Sequence, residues 1–333
     1  MADVAKAAGV STMTVSRALR GDPSVTKERR AHIVMTAERM GYILDRGASQ
    51  LRTRKTGFVA VTVPSINNPN FADSVRGLTA VLEENGLQVL LGFTDYDIER
   101  EELMISQLLR RQPEALVLTG STHTSAAREM LARTSIPVIE TWDEPDQPLG
   151  YSVGFSNTYA GALMAQHLID TGCREIAFVG CTTGTDYRGE ERARGFMEAL
   201  KKNGAVADRY IEAGLPPLGA QAGAEAVRKI LENYPKTDAV MCVADSVAFG
   251  AMTELQRAGI NVPGQIAIAG FGAYDVSEFC SPSITTINPN AHEIGKLTGE
   301  MIANILSTPS QAATIKHQRS QPILIKRGST VGH

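Results

Sequence analysis

From Gly57 onward the chain follows one pattern, in which short β-branched runs alternate with amphipathic stretches. The runs are GFVAVTVP (57–64), QVLLGFT (88–94), EALVLTGS (114–121), PVIETW (137–142), YSVGFS (151–156), EIAFVG (175–180), DAVMCVA (238–244), QIAIAGF (265–271) and ITTINP (284–289). Uniformly apolar strands separated by helical stretches predict parallel sheets covered by helices on both faces, an α/β fold. These are more strands than one small sheet accommodates, and the series divides near residue 155. Two doubly wound parallel-sheet subdomains are therefore expected within 57–333, with the segment from about Thr285 returning to the first. Folds of this kind bind ligands outside the carboxyl ends of their strands.

Residues 1–56 carry a different pattern, which opens MADVAKAAGVSTMTVSRALRG. A short helix from Asp3 to Ala8 turns Val4, Ala5 and Ala8 to one face. Gly9 stands where a helix ends in the left-handed conformation that glycine adopts cheaply. Ser11 is a good N-cap for the next helix, TMTVSRALR. In that helix Val15, Ala18 and Leu19 form the apolar face, and Thr12, Met13, Ser16, Arg17 and Arg20 fall on the other. A third helix from about Thr26 is expected to turn Ile33, Val34, Ala37 and Met40 inward. Three such helices make a small all-α domain over 1–44, a helix-turn-helix unit, and 45–56 reads as a polar linker.

Charge divides along the same boundary. Residues 1–56 hold 11 Lys or Arg against 5 Asp or Glu, a formal charge of +6, and the remainder carries −9. A basic helical head fits either a Lys/Arg-rich surface or an electrostatic footprint for phosphates. In a helix-turn-helix the second helix points its first residues at base edges, which here are Thr12, Met13 and Arg17.

Other classes fit poorly. Cys173, Cys181, Cys242 and Cys280 form no CxxC pair, as expected of reduced, structural thiols in a cytoplasmic protein. No apolar run approaches a membrane span, and the first twenty residues lack the apolar core of a signal peptide. The six histidines are scattered, and no phosphate-binding G-x-x-x-x-G-K-[ST] loop is present. Neither catalysis nor a cofactor or metal is expected.

DVAKAAGVSTMTVSRAL resembles the N-terminal signature of the lactose/galactose repressor family of bacterial transcription factors, and the resemblance extends over essentially the whole chain. It implies a homodimeric regulator of double-stranded operator DNA, with a body like the periplasmic sugar-binding proteins. Thr12 and Met13 match the family's base-reading positions, and Arg17 a further operator-contacting arginine. Thr14 and Ser16 correspond to phosphate or packing positions. In the linker, Leu51 matches the leucine that hinge helices wedge into the minor groove, with Arg52 beside it; an inserted apolar side chain costs a few kcal/mol of unstacking that bent DNA offsets. Two departures stand out. Met1 is nearly the first helical residue, where family members have several earlier residues with a capping Thr or Ser, so either the chain is truncated or the cap is lost, and Gly47 is a poor helix former at a cost of ~1 kcal/mol.

The same resemblance implies an effector site between the subdomains. Arg192 in GEERARGF matches the arginine that holds ligand hydroxyls or a carboxylate, Phe71 an aromatic over the ligand, and Asp245 an Asp near the pocket. Sugar-binding members have an Asp where AGFGAYD has Gly272. Loss of a carboxylate eases the binding of an anion. GSTHTSA, VIETWD, SVGFSN and AIAGFGAYD resemble the gluconate-utilisation branch, which implies a sugar acid such as gluconate or 2-ketogluconate. His123, Glu140, Trp142 and Asp275 are further pocket candidates, although Trp142 could equally pack and Glu140 lie half-exposed. The expected function is a repressor of a carbohydrate-utilisation operon; the alternative is a sugar-binding protein without DNA-regulatory function.

Overall fold

The computed structural model describes residues 1–19, 21–42, 56–308 and 316–331 of the 333. The chain forms two compact units, Met1–Thr56 and Gly57–His333.

The described residues of the first unit form three helices, α1 (Ala2–Ala7), α2 (Thr12–Leu19) and α3 (Lys27–Arg39). Gly9 has φ 65° with open space around it, so its backbone conformation and not crowding calls for glycine. Ser11 Oγ accepts a 3.1 Å hydrogen bond from Thr14 N, closing the start of α2. Met1 precedes α1 without a side-chain cap bond. Val4, Ala5, Ala8, Val15, Ala18, Val25, Ile33 and Ala37 form the core.

Two of the four inward positions expected on α3 differ. Met40 is 43% exposed and Val34 half-buried. Met40 lies past the last helical residue, where the Gly41 turn brings Tyr42 N back to Ala37 O at 2.9 Å, and Tyr42 packs against the core in its place. Thr36 is buried as well, its hydroxyl satisfied by donating to His32 O at 2.8 Å.

The second unit contains two six-stranded sheets. The first comprises β1 (Phe58–Val63), β2 (Gln88–Phe93), β3 (Leu116–Thr119), β4 (Val138–Thr141), β5 (Tyr151–Gly154) and β11 (His317–Arg319), in the order β11-β5-β4-β3-β1-β2, parallel throughout. The second comprises β6 (Ile176–Gly180), β7 (Tyr210–Glu212), β8 (Ala239–Cys242), β9 (Ala267–Phe271), β10 (Thr285–Asn288) and β12 (Ile323–Ile325), in the order β12-β10-β9-β8-β6-β7. Among the described residues only β12 runs antiparallel, against β10. β7, β11 and β12, each of three residues, carry too little pattern to stand out in the sequence.

Helices cover both sheets: α4 (Pro69–Glu84), α5 (Ile98–Leu109) and α6 (Ser125–Ala132) in the first lobe, and α7 (Asn157–Asp170), α8 (Tyr187–Lys202), α9 (Ala220–Asn233), α10 (Asp245–Arg257) and α11 (Asp275–Phe279) in the second. The return expected at Thr285 comes later, because β10 still pairs with β9. The chain crosses after Asn288, and α12 (Ala291–Ser307) packs on α4. That contact is close: a Cβ on Gly295 would stand 1.8 Å from Ser74 O, and one on Gly77 2.3 Å from His292 O. The chain then enters the first sheet as β11 and recrosses to the second as β12. No helix among the described residues is long and apolar enough to cross a membrane.

Candidate functional site

A cleft of about 940 Å³ lies between the two lobes of the second unit, lined by residues from both. Phe71, Trp142, Arg192 and Asp275, all expected at a ligand site, line it. Its aromatic residues Phe71, Trp142 and Phe271 are linked through the buried Phe155 behind them: the Phe71 and Trp142 ring centroids are 5.1 Å apart edge to face, Trp142 and Phe155 6.3 Å, and Phe155 and Phe271 6.2 Å. Trp142 therefore both packs and faces the cleft. Its backbone is left-handed at φ 68°, and its carbonyl accepts from Asn157 Nδ2 at 3.0 Å, which holds that strained turn at the end of β4.

Arg192 projects from α8 and is 7% exposed. Its Nη1 donates to Asn157 Oδ1 at 2.7 Å, its Nη2 lies 4.0 Å from Asp186 Oδ2, and its guanidinium carbon sits 4.1 Å from the Phe271 ring centroid. Its Nε is buried without a hydrogen-bond partner. Burial lowers its pKa, Asp186 opposes that shift, and the neighbouring Arg188 adds to it. A buried cation in the wall of the cleft, with a single acid at 4.0 Å, is suited to hold an acceptor group, above all an anionic one.

Gly272 has φ 126°, and a Cβ there would stand 2.4 Å from Tyr274 Cε1. The carboxylate missing at this position has thus left no vacancy, since the Tyr274 ring occupies the space. Asp245 does not line the cleft. It is fully buried behind it, accepting from Tyr274 N at 2.7 Å and Thr286 Oγ1 at 2.6 Å, and so fixes the loop that carries Tyr274. Burial pushes its pKa up to about 6, against the hydrogen bonds from Thr286 and Tyr274.

His123 and Glu140 are placed elsewhere. Strand alternation explains Glu140: in β4 it shares the face of Val138, which belongs to the core under α5 and α6, whereas Ile139 belongs to the core shared with the cleft aromatics. There Glu140 Oε1 lies 3.3 Å from His123 Nε2, an ion-pair contact outside hydrogen-bond geometry, and His123 Nδ1 bonds Glu101 Oε2 at 2.6 Å. His123 does face carboxylates, but they are the protein's own.

Sequence reasoning missed Asn68, Tyr96, Asp186, Arg188 and Tyr274, all of which line the cleft. Arg188 had a readable signal, since it stands four residues before Arg192 on the same helix face. The others sit on loops or helix starts that periodicity does not reach.

In the first unit, Thr12, Met13 and Arg17 are exposed on one side of α2, Met13 at 61%, and Thr14 and Ser16 are half-buried. The face is a polar surface with one projecting thioether and one guanidinium, next to the helix N-terminus that α2 presents. Leu51 and Arg52 lie outside the described residues.

Residues 1–45 match the family described as bacterial regulatory proteins, lacI family, and residues 165–330 match the periplasmic binding protein-like domain. The chain is 35% identical over 306 residues to the HTH-type transcriptional regulator GntR of Pseudomonas aeruginosa, covering 92% of this chain and 88% of that one. A LacI-family transcriptional regulator from Silicibacter pomeroyi superposes with a TM-score of 0.92 at 33% identity, covering 98% of both chains. GntR from Chromobacterium violaceum gives 0.75 at 29% identity, over 82% of this chain and 99% of that one. These matches, to a helical DNA-binding head and to a two-lobed body with a ligand cleft, identify the chain as a transcriptional regulator of the non-enzymatic LacI family.

Proposed function

We propose that the chain is a cytoplasmic, homodimeric repressor of a carbohydrate-utilisation operon, and that a small sugar acid of the gluconate or 2-ketogluconate type controls it from the cleft. The observation that carries the effector class is Arg192, a buried guanidinium in the wall of the cleft with only one acid, Asp186, within 4.0 Å. Among the other residues, Phe71 and Trp142 give an apolar surface for the carbon chain, and Asp275 stands at the mouth, where it accepts from hydroxyls. Asp245 acts from behind through Tyr274. Relatives bearing the GntR and IdnR names, at 35% and 29% identity, support the same branch.

For DNA, Thr12, Met13 and Arg17 read base edges and Thr14 and Ser16 fix register on the backbone. Leu51 and Arg52 act in the minor groove. The effector changes operator affinity by its differential affinity for two arrangements of the dimer, typically ~1–3 kcal/mol of coupling.

A ligand screen by thermal shift tests this reading. Gluconate or 2-ketogluconate raises the melting temperature and lactose, galactose and purines do not. A neutral sugar that stabilises better than either acid overturns the effector class. Loss of steep salt dependence in operator binding overturns the DNA role.

A further inference from the structure

We propose that Arg188 is a second carboxylate-holding residue of the cleft, which works with Arg192 to make the site select an open-chain polyhydroxy acid over a neutral polyol of the same length. The inference rests on the sugar-acid reading above and deepens it.

Arg188 and Arg192 stand one turn apart on α8, and both line the cleft. Their situations differ. Arg192 is buried against Asn157 and has Asp186 at 4.0 Å. Arg188 is half-buried and forms no ion pair among the described residues; its one hydrogen bond there runs from Nη1 to Thr119 O, at 3.1 Å. Thr119 ends β3 in the opposite lobe, so the guanidinium is anchored across the cleft through one nitrogen. The rest of its donor edge remains for a ligand.

The surrounding residues are shaped for this reach. Gly120, with a φ of 98° that favours glycine, follows Thr119, and Arg188 Nη1 fills the space beside it, 2.7 Å from where a Cβ would stand. Arg188 also lies over Phe71, its guanidinium carbon 5.7 Å from the ring centroid. The two guanidiniums repel each other, and among the described residues only Arg192 has an acid, Asp186, within ion-pair distance, which leaves the charge of Arg188 unpaired on this wall. A ligand carboxylate there takes a charge-assisted hydrogen bond from each and removes the repulsion. A polyol offers hydroxyls to the same donors without the charge, so the second arginine contributes chiefly to the acid.

Titration calorimetry on the full chain tests this with gluconate and sorbitol as probes, on the wild type, Arg188→Gln and Arg188→Lys. The wild type prefers gluconate. Arg188→Gln weakens gluconate roughly 10- to 100-fold with a much smaller effect on sorbitol, the range expected for losing a hydrogen bond to a charged group. Arg188→Lys, which keeps the charge and loses the fork, recovers part of the preference. Equal losses for the two probes, or a gluconate affinity unchanged in Arg188→Gln, overturn the role of Arg188 and leave the sugar-acid reading standing. A wild type that binds no sugar acid overturns both. Ligand-free melting temperatures of the three proteins, expected to agree closely, show that a loss of binding is not a loss of fold.

Discussion

The Tyr274 hydroxyl donates a 2.9 Å hydrogen bond to Asn68 Oδ1, joining the loop after β9 to the start of α4 in the opposite lobe. Asn68 Oδ1 also caps α4 by accepting from Asn70 N at 3.0 Å. One amide oxygen thus serves both a helix terminus and a contact between lobes, and a ligand that favours the closed cleft is aided by it.

Tyr274→Phe removes the hydroxyl and keeps the ring that packs on Gly272. Because a neutral hydrogen bond contributes ~0.5–1.5 kcal/mol net, stability falls by no more than that, and affinity for gluconate falls several-fold as the closed arrangement loses its tie. Calorimetric titration beside a melting curve checks both. An unchanged affinity shows that the bond has no part in closure.

Gly272→Asp looks, on sequence, like the change that restores a neutral-sugar site. The structure gives the opposite expectation. The position is left-handed and the new Cβ meets the Tyr274 ring, so the substitution costs ~1–3 kcal/mol and forces the ring aside. Affinity for neutral sugars does not rise in this single variant. A gain of galactose binding with the melting temperature retained contradicts the account of Tyr274 as the occupant of that space.

Much of this was legible in the sequence, for reasons that the individual elements make plain. Strands such as FVAVTV and IAFVG are long and apolar enough to declare themselves, and GVS declares the turn before α2 because glycine's φ and the serine cap are both local properties. The face of Glu140 was also encoded, by its two-residue spacing from Val138, but only the position of the cleft says which face matters. Tyr274 was not legible as a site residue. Its role depends on Asp245 holding its backbone and on Asn68, 206 residues away, accepting from its hydroxyl, and no local pattern records a contact at that separation.

Arg17→Ala removes an exposed guanidinium from α2 without touching the core formed by Val15 and Ala18. If Arg17 reads a guanine bidentately, operator affinity falls by ~1–3 kcal/mol and discrimination is lost at one base position. Met13→Ala costs less, because a thioether offers only apolar contact. Binding to a set of single-base operator variants is the measurement, and a uniform loss across all of them reassigns Arg17 to the phosphate backbone.

The buried His123 makes stability depend on pH in a definite direction. Burial works to lower its pKa, but the hydrogen bond to Glu101, the close contact with Glu140 and the charges of both carboxylates outweigh that and push it up from 6.5 to about 9. A base whose pKa is raised by folding binds its proton more tightly in the native state. Its contribution is therefore fully present below pH 6.5 and is lost as pH rises from 6.5 to about 9. Its size is on the order of a few kcal/mol. His167 acts in the opposite sense: burial lowers its pKa, so its contribution is lost as pH falls below 6.5, outside the window of His123. Melting temperature measured from pH 6.5 to 9 should decline for the wild type. In His123→Gln, which removes the titrating ring and keeps a side chain able to hydrogen-bond both carboxylates, that decline should flatten and the protein should melt lower at pH 6.5. A decline that persists undiminished in the variant assigns the pH dependence to other groups and leaves His123 as a neutral packing residue between two carboxylates.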